Sequence, residues 1–236
     1  FVGVTMVRLG VWAVVLPRVL RLQAGQHVVP KRPPLHILSH RPHSRRMTFA
    51  LCLSLSVVAF ALRWAGSGHS FSGDEVLVQS CFVDRGLPAI LAYWPASTHH
   101  IGYEVFAWIC GALPLPVEMA SRLPAAVAGA CAVGLCFLLY QRIVATSVAV
   151  GVSVLHAVSV YGVVYATMLK GYTAVLLGFV IAMVAVTTII RKPQAWRGWI
   201  GLGVSVAAML YTHLHSALLV AGIAVTFLVL WFRCIG

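Results

Sequence analysis

Asp74 and Glu75 stand side by side in Ser72-Gly73-Asp74-Glu75, directly after an apolar stretch, and all five carboxylates of the sequence fall between Asp74 and Glu118. A carboxylate in or beside a bilayer is costly unless something pairs it or uses it. Their confinement to one segment marks that segment as the seat of chemistry. An aspartate held at a helix start can serve as general base toward a hydroxyl or amine, and transfer away from a phosphate also needs a cation for the departing charge. Arg122 and Lys170, each at the mouth of an apolar run, are the cations suited to that task. A plainer reading competes for the acids. Ser72 followed three residues later by Glu75 is a capping box, which makes Glu75 the N3 residue of a helix reaching to about Gly86. Asp74 is then a favourable charge in the first turn, and Arg122 an anchor that snorkels to lipid headgroups.

The elements that must position these residues lie in lipid. With 61% hydrophobic and 9% charged residues and a mean hydropathy of +0.94, the chain has too little polar surface to cover a soluble globule. Apolar runs near the roughly 20 residues that cross a bilayer occupy 47–64, 123–140, 143–165, 172–190, 199–214 and 217–232. The expected architecture is an all-α polytopic transmembrane helix bundle, with six spans or five if the last two form one kinked element. A net charge of +12 does not point to nucleic acid, because the basic residues sit at the ends of apolar runs and form no stripe with interleaved aromatics. Their distribution instead sets the topology. Arg41, Arg45, Arg46, Arg142, Arg191, Lys192, Arg197 and Arg233 fall on one side, and Arg63, Arg85, Arg122 and Lys170 on the other. The large first loop, 65–121, with every acid, is thereby expected on the extracytoplasmic side.

Residues 1–46 hold eight of the seventeen Lys and Arg residues and the run Pro30-Lys31-Arg32-Pro33-Pro34, so they read as a basic, disordered cytoplasmic tail. Residues 47–236 form the membrane domain. Within the loop, 101–112 reads as an interfacial helix carrying Tyr103, Glu104, Phe106 and Trp108, preceded by Tyr93-Trp94-Pro95 and by His99-His100. Of the six cysteines, Cys52, Cys131, Cys136 and Cys234 sit in or beside spans, and no spacing rule joins Cys81 to Cys110. No CxxC is present and no zinc site is expected. No cofactor is expected either, and nothing in the sequence supports a divalent metal. His156, inside an apolar span, suits a proton relay, but more often such a histidine bonds to a neighbouring helix, and the spacing of His213 and His215 points them to different faces.

Five features taken in order resemble the GT-C membrane glycosyltransferases: the acid pair after the first span, a surface helix preceded by His, Ser121-Arg122-Leu123-Pro124-Ala125, Lys170-Gly171-Tyr172, and Tyr211-Thr212-His213. Within that class they look closest to the dolichyl-phosphate-mannose protein mannosyltransferase relatives, which include the aminoarabinose transferases of lipid A. The resemblance runs over about 65–232. It implies an inverting transfer of a sugar from a polyprenyl-phosphate donor to a protein, lipid or glycan acceptor on the extracytoplasmic or lumenal face. It carries the catalytic acids onto Asp74 and Glu75, with Asp74 the favoured base, the donor phosphate onto Lys170 and Arg122, and substrate contacts onto His99, His100 and Tyr172. Two departures stand out. Lys170 replaces the family's Arg and loses its bidentate fork, and His100 is followed by Ile101 where Pro is usual. Relatives also have more spans, so the sequence is expected to be an N-terminal part. A transporter or flippase of lipid-linked substrates would share the hydropathy, but it would place ionisable residues at the midplane within repeated halves; a purely structural subunit would make the loop acids dispensable. Richness in Ala, Val and Gly suggests a multi-pass protein of the bacterial cell membrane.

Overall fold

The computed structural model describes residues 44–92 and 99–234, and among these every regular element is a helix. The reading of 1–43, and of Tyr93-Trp94-Pro95, lies outside the described residues. Helix α1 spans Arg45–Ala65, so Arg45 and Arg46 begin the first span instead of ending a tail; Ser44 caps it, accepting the Met47 amide at 3.3 Å. The loop that follows carries α2 (Gly73–Val78), a π-helical turn (Gln79–Val83), α3 (Leu87–Ala92) and α4 (Ile101–Cys110). Then come α5 (Val117–Tyr140), α6 (Thr146–Val158), α7 (Val160–Ala166), α8 (Tyr172–Arg191), α9 (Trp196–Thr212) and α10 (Ser216–Cys234).

The span count differs from the six expected. Among the described residues α1, α5 and α8 are long and apolar enough to cross a membrane, and α6 with α7 makes a fourth only as a pair bent by 53°. The run 143–165 is interrupted because Ser159 leaves the helical region (φ −57°, ψ 122°) and restarts a helix, its Oγ accepting the Gly162 amide. Helix α9, with 17 residues, and the described apolar part of α10, Ser216–Val229, fall short of the length. Helix α5 also starts earlier than the run at 123, so Arg122 lies within the helix and is fully buried.

Helix α5 is the centre of the bundle, with 61% of its span buried. Leu55 and Ala59 of α1, Ala130, Val133 and Phe137 of α5, and Ala149 and Ala157 of α6 form one apolar core; small side chains there let the helices close without a hydrophobic drive from lipid. A second cluster, Val78, Val83, Tyr103, Ala107, Ala125 and Leu169, seals the loop onto α5. Two opposite ends result. At one, Gln141 bonds Thr48, and Arg142 bonds Thr187 and Thr188. At the other, the first loop, the α7–α8 turn and the α9–α10 turn converge, and the acids are there.

Candidate functional site

Helix α2 begins as the capping box requires, with the Ser72 amide donating to Glu75 Oε2 at 2.9 Å. It does not run to Gly86 as one α-helix, because the π-helical turn intervenes at Gln79. This start turns Asp74 and Glu75 into different environments. Asp74 is 60% exposed and accepts from Lys170 Nζ at 3.0 Å. Glu75 is buried, and Arg122 grips it with Nε at 3.0 Å and Nη2 at 2.9 Å.

The rest of the Arg122 guanidinium is also committed. Nη1 donates to the Ser67 and His69 carbonyls and Nη2 to that of Ser70, so all five N–H donors of the side chain have protein partners. Its plane lies over the Phe71 ring, 5.0 Å from the centroid. Glu75 Oε1 accepts a further bond from the Leu169 amide at 2.6 Å. Burial alone would raise the Glu75 carboxyl, but the bonds from Arg122, Ser72 and Leu169 and the charge of Arg122 outweigh it and hold the group below the usual carboxylate range.

Four consecutive residues tie the site together. Leu169 donates its amide to Glu75 and Lys170 its ammonium to Asp74. Gly171 packs where a Cβ would meet Thr212 Cγ2 at 2.5 Å and His100 Cβ at 3.5 Å, so no other residue fits without displacing the α9 end. Tyr172 then meets His100 edge-on, with ring centroids 5.5 Å apart, and His213 at 5.6 Å, while His100 and His213 lie 4.6 Å apart. Burial, with His213 beside it, pushes the His100 imidazole down to about 4, so the ring is neutral at physiological pH. His213, in the turn after α9, was not among the residues the sequence assigned to the site; a histidine interrupting an apolar run was the available signal.

His99 points elsewhere. Its ring stacks on Phe82 at 4.1 Å, with Nε2 2.9 Å from Glu104 Oε2. Glu104, expected on a membrane-surface helix, is fully buried. Its other oxygen accepts the His100 amide at 2.7 Å, and burial raises the carboxyl to about 7 against that bond. Tyr103, also expected at the headgroups, is buried and donates to the Ser121 carbonyl at 2.7 Å, whereas Phe106 and Trp108 do remain exposed. Cys81 and Cys110 are free thiols. Among the described residues no group of three or more His, Cys, Asp or Glu is placed to hold a metal ion.

A helical membrane bundle with a carboxylate, an ammonium and a wall of aromatic and imidazole rings gathered at one end has the parts of a membrane transferase. Residues 99–235, more than half of the chain, match the dolichyl-phosphate-mannose-protein mannosyltransferase family. The chain belongs to that family, and is by class a membrane glycosyltransferase that uses lipid-linked donors. The acid pair lies just upstream of the matched residues. No curated protein and no solved structure matches the chain.

Proposed function

We propose that the chain transfers a sugar from a polyprenyl-phosphate donor, with Asp74 as general base and Lys170 as the ligand of the donor phosphate. The observation that carries this reading is the Lys170 Nζ to Asp74 Oδ2 contact of 3.0 Å between partly accessible side chains, beside a second acid–base pair that is sealed. Asp74 takes the proton of the acceptor hydroxyl or amine, and the freed lone pair forms the new bond at the anomeric carbon. The bond from that carbon to the phosphate oxygen breaks, its electron pair leaving with the polyprenyl phosphate, whose added charge Lys170 neutralises. His100, Tyr172 and His213 line the approach and orient the sugar. Glu75 and Arg122 take a different part from that expected of them. With its donors filled by Glu75 and three carbonyls, Arg122 supports the loop and leaves the phosphate to Lys170; Glu75, bonded on both oxygens, aligns Asp74 and does not itself accept a proton. His99 supports the loop through Phe82 and Glu104.

Substitution at Lys170 tests the phosphate assignment. A charge-assisted bond to phosphate is about twice as strong as a neutral one, so Lys170→Gln is expected to raise the donor concentration for half-maximal transfer by roughly 10-fold, and Lys170→Arg to keep most function. Transfer measured against donor concentration at equal membrane abundance checks this. Wild-type donor dependence in Lys170→Gln would make the residue a membrane anchor.

The reading also places the site on the extracytoplasmic face, supported by the basic flanks at the opposite end. A cysteine at the exposed position Ala112, after replacement of Cys81 and Cys110, is expected to react with a membrane-impermeant maleimide in intact cells. Labelling only after permeabilisation would reverse the orientation.

A further inference from the structure

Arg63 is one of the largest fully buried side chains, at 1% exposure, and none of the ion pairs among the described residues includes it. Its hydrogen bonds all go to carbonyls. Nη1 donates to Ala59 of its own helix at 2.8 Å and to Ala157 at 3.3 Å. Ala157 lies in the last turn of α6, next to the Ser159 break. At a helix end the final carbonyls have no amide four residues on, and inside a bilayer an unsatisfied carbonyl is expensive. Arg63 therefore closes an opening that the broken span creates.

The slot around the guanidinium is made by two glycines. A Cβ on Gly129 of α5 would lie 2.7 Å from Nε, and one on Gly162 of α7 would lie 3.3 Å from Nη2. Nε has no partner, but it faces the Gly129 backbone too closely for an anion to enter. Arg63 thus touches α5, α6 and α7 at once. Past the break, α7 runs into Thr167, whose Cγ2 would be 3.0 Å from a Cβ on Gly66. Three residues further on, Lys170 reaches Asp74.

We propose that Arg63 is a positioning residue that clamps the break between α6 and α7 and thereby fixes the segment carrying Lys170 against Asp74. The last clause rests on the function proposed above; the clamp itself does not. Replacing Arg63 by Met removes the desolvation cost of an unpaired buried charge as well as the donor to Ala157, two changes that oppose one another in stability. Arg63→Met should accordingly fold and reach the membrane at the parent level, while losing the contact to Ala157.

Two readouts in the full-length protein separate the parts. The ideal Cβ of Gly66 lies 4.0 Å from Thr167 Cβ, within the span a disulfide accepts. The double variant Gly66→Cys with Thr167→Cys should therefore cross-link readily under mild oxidant, read by mass spectrometry of the joined peptides. Adding Arg63→Met is expected to lower the cross-linking rate several-fold, and Arg63→Lys to restore part of it through a single ammonium donor. Gly129→Ala, which displaces the guanidinium but keeps its charge, should act in the same direction. The second readout is donor dependence of transfer in Arg63→Met without the added cysteines, where kcat/KM for the donor is expected to fall roughly 10-fold to 100-fold, the scale of a small misplacement, with unchanged thermal stability. Undiminished cross-linking in Arg63→Met overturns the clamp, whether or not the parent transfers sugar. Lost cross-linking with parental donor dependence overturns the link to Lys170. A fall in activity matched by an equal fall in folded protein reduces Arg63 to a stability residue and overturns the positioning role.

Discussion

Asp74→Asn is expected to lower sugar transfer by roughly 100-fold or more, the usual scale for a positioned general base, while leaving membrane abundance unchanged. The asparagine keeps the size of the side chain, keeps an oxygen that can accept from Lys170, and tolerates the first helical turn. What it loses is the ability to hold a proton. Because Asp74 is 60% exposed and the sealed pair beside it does not depend on it, no fold-level loss should accompany the change. Transfer by purified full-length protein, at saturating donor and normalised to folded protein, is the measurement. Near-parental activity in Asp74→Asn together with loss in Glu75→Gln would shift the base to Glu75 and refute the division of labour drawn here.

The second large effect is on stability, and it shrinks as the pH falls. Removing one partner of a buried ion pair costs about 3–5 kcal/mol, because the other charge is left unpaired. Arg122→Met should approach that upper figure, since the Ser67, His69 and Ser70 carbonyls lose their donor too. In the parent, the folded Glu75 carboxyl lies below its unfolded value of about 4.3. The pair therefore contributes fully above about pH 4.3, and the contribution is lost as pH falls through the lower folded value. In Arg122→Met the guanidinium bonds that opposed burial are gone, so the carboxyl rises and the variant should gain stability relative to the parent as the solution is made more acid. Thermal unfolding in detergent, followed from pH 8 down to well below the unfolded value of about 4.3, reads both slopes. A parental melting temperature for Arg122→Met at neutral pH would show that the pair contributes little.

How much of this was legible depends on the range of the interaction. Asp74 and Lys170 stood out because rare charges at the mouths of apolar runs are local signals, whereas Tyr172 entered only with the order of the short motifs, which also carried the family. The commitment of Arg122 was not legible. It depends on carbonyls of residues 67, 69 and 70 and on Glu75, 47 positions away, and backbone acceptors leave no trace in side-chain composition. The same applies to the Leu169 amide. Burial of Glu104 was missed because an acid among aromatics reads as surface, whereas here His99 and the His100 amide receive it. The break at Ser159 escaped notice because serine is ordinary in apolar spans, and the linear pattern had assigned Arg63, which donates to the nearby Ala157 carbonyl, only to a membrane face.

The bonds that join the acid pair to the α7–α8 turn connect residues 94 and 96 positions apart. Contacts of such long sequence separation form late, after the intervening loop entropy has been met. During synthesis the carboxylate of Glu75 and the guanidinium of Arg122 can meet as soon as α5 is made, but the remaining oxygen contact and the partner of Asp74 do not exist until residues 169 and 170 have emerged. The acid pair therefore gains its last partners from a segment that follows the 53° bend at Ser159. Ribosome-bound chains ending shortly before that segment should carry a docked but unfinished loop, detectable as protease sensitivity of residues 66–73 that disappears once the chain is extended past α8.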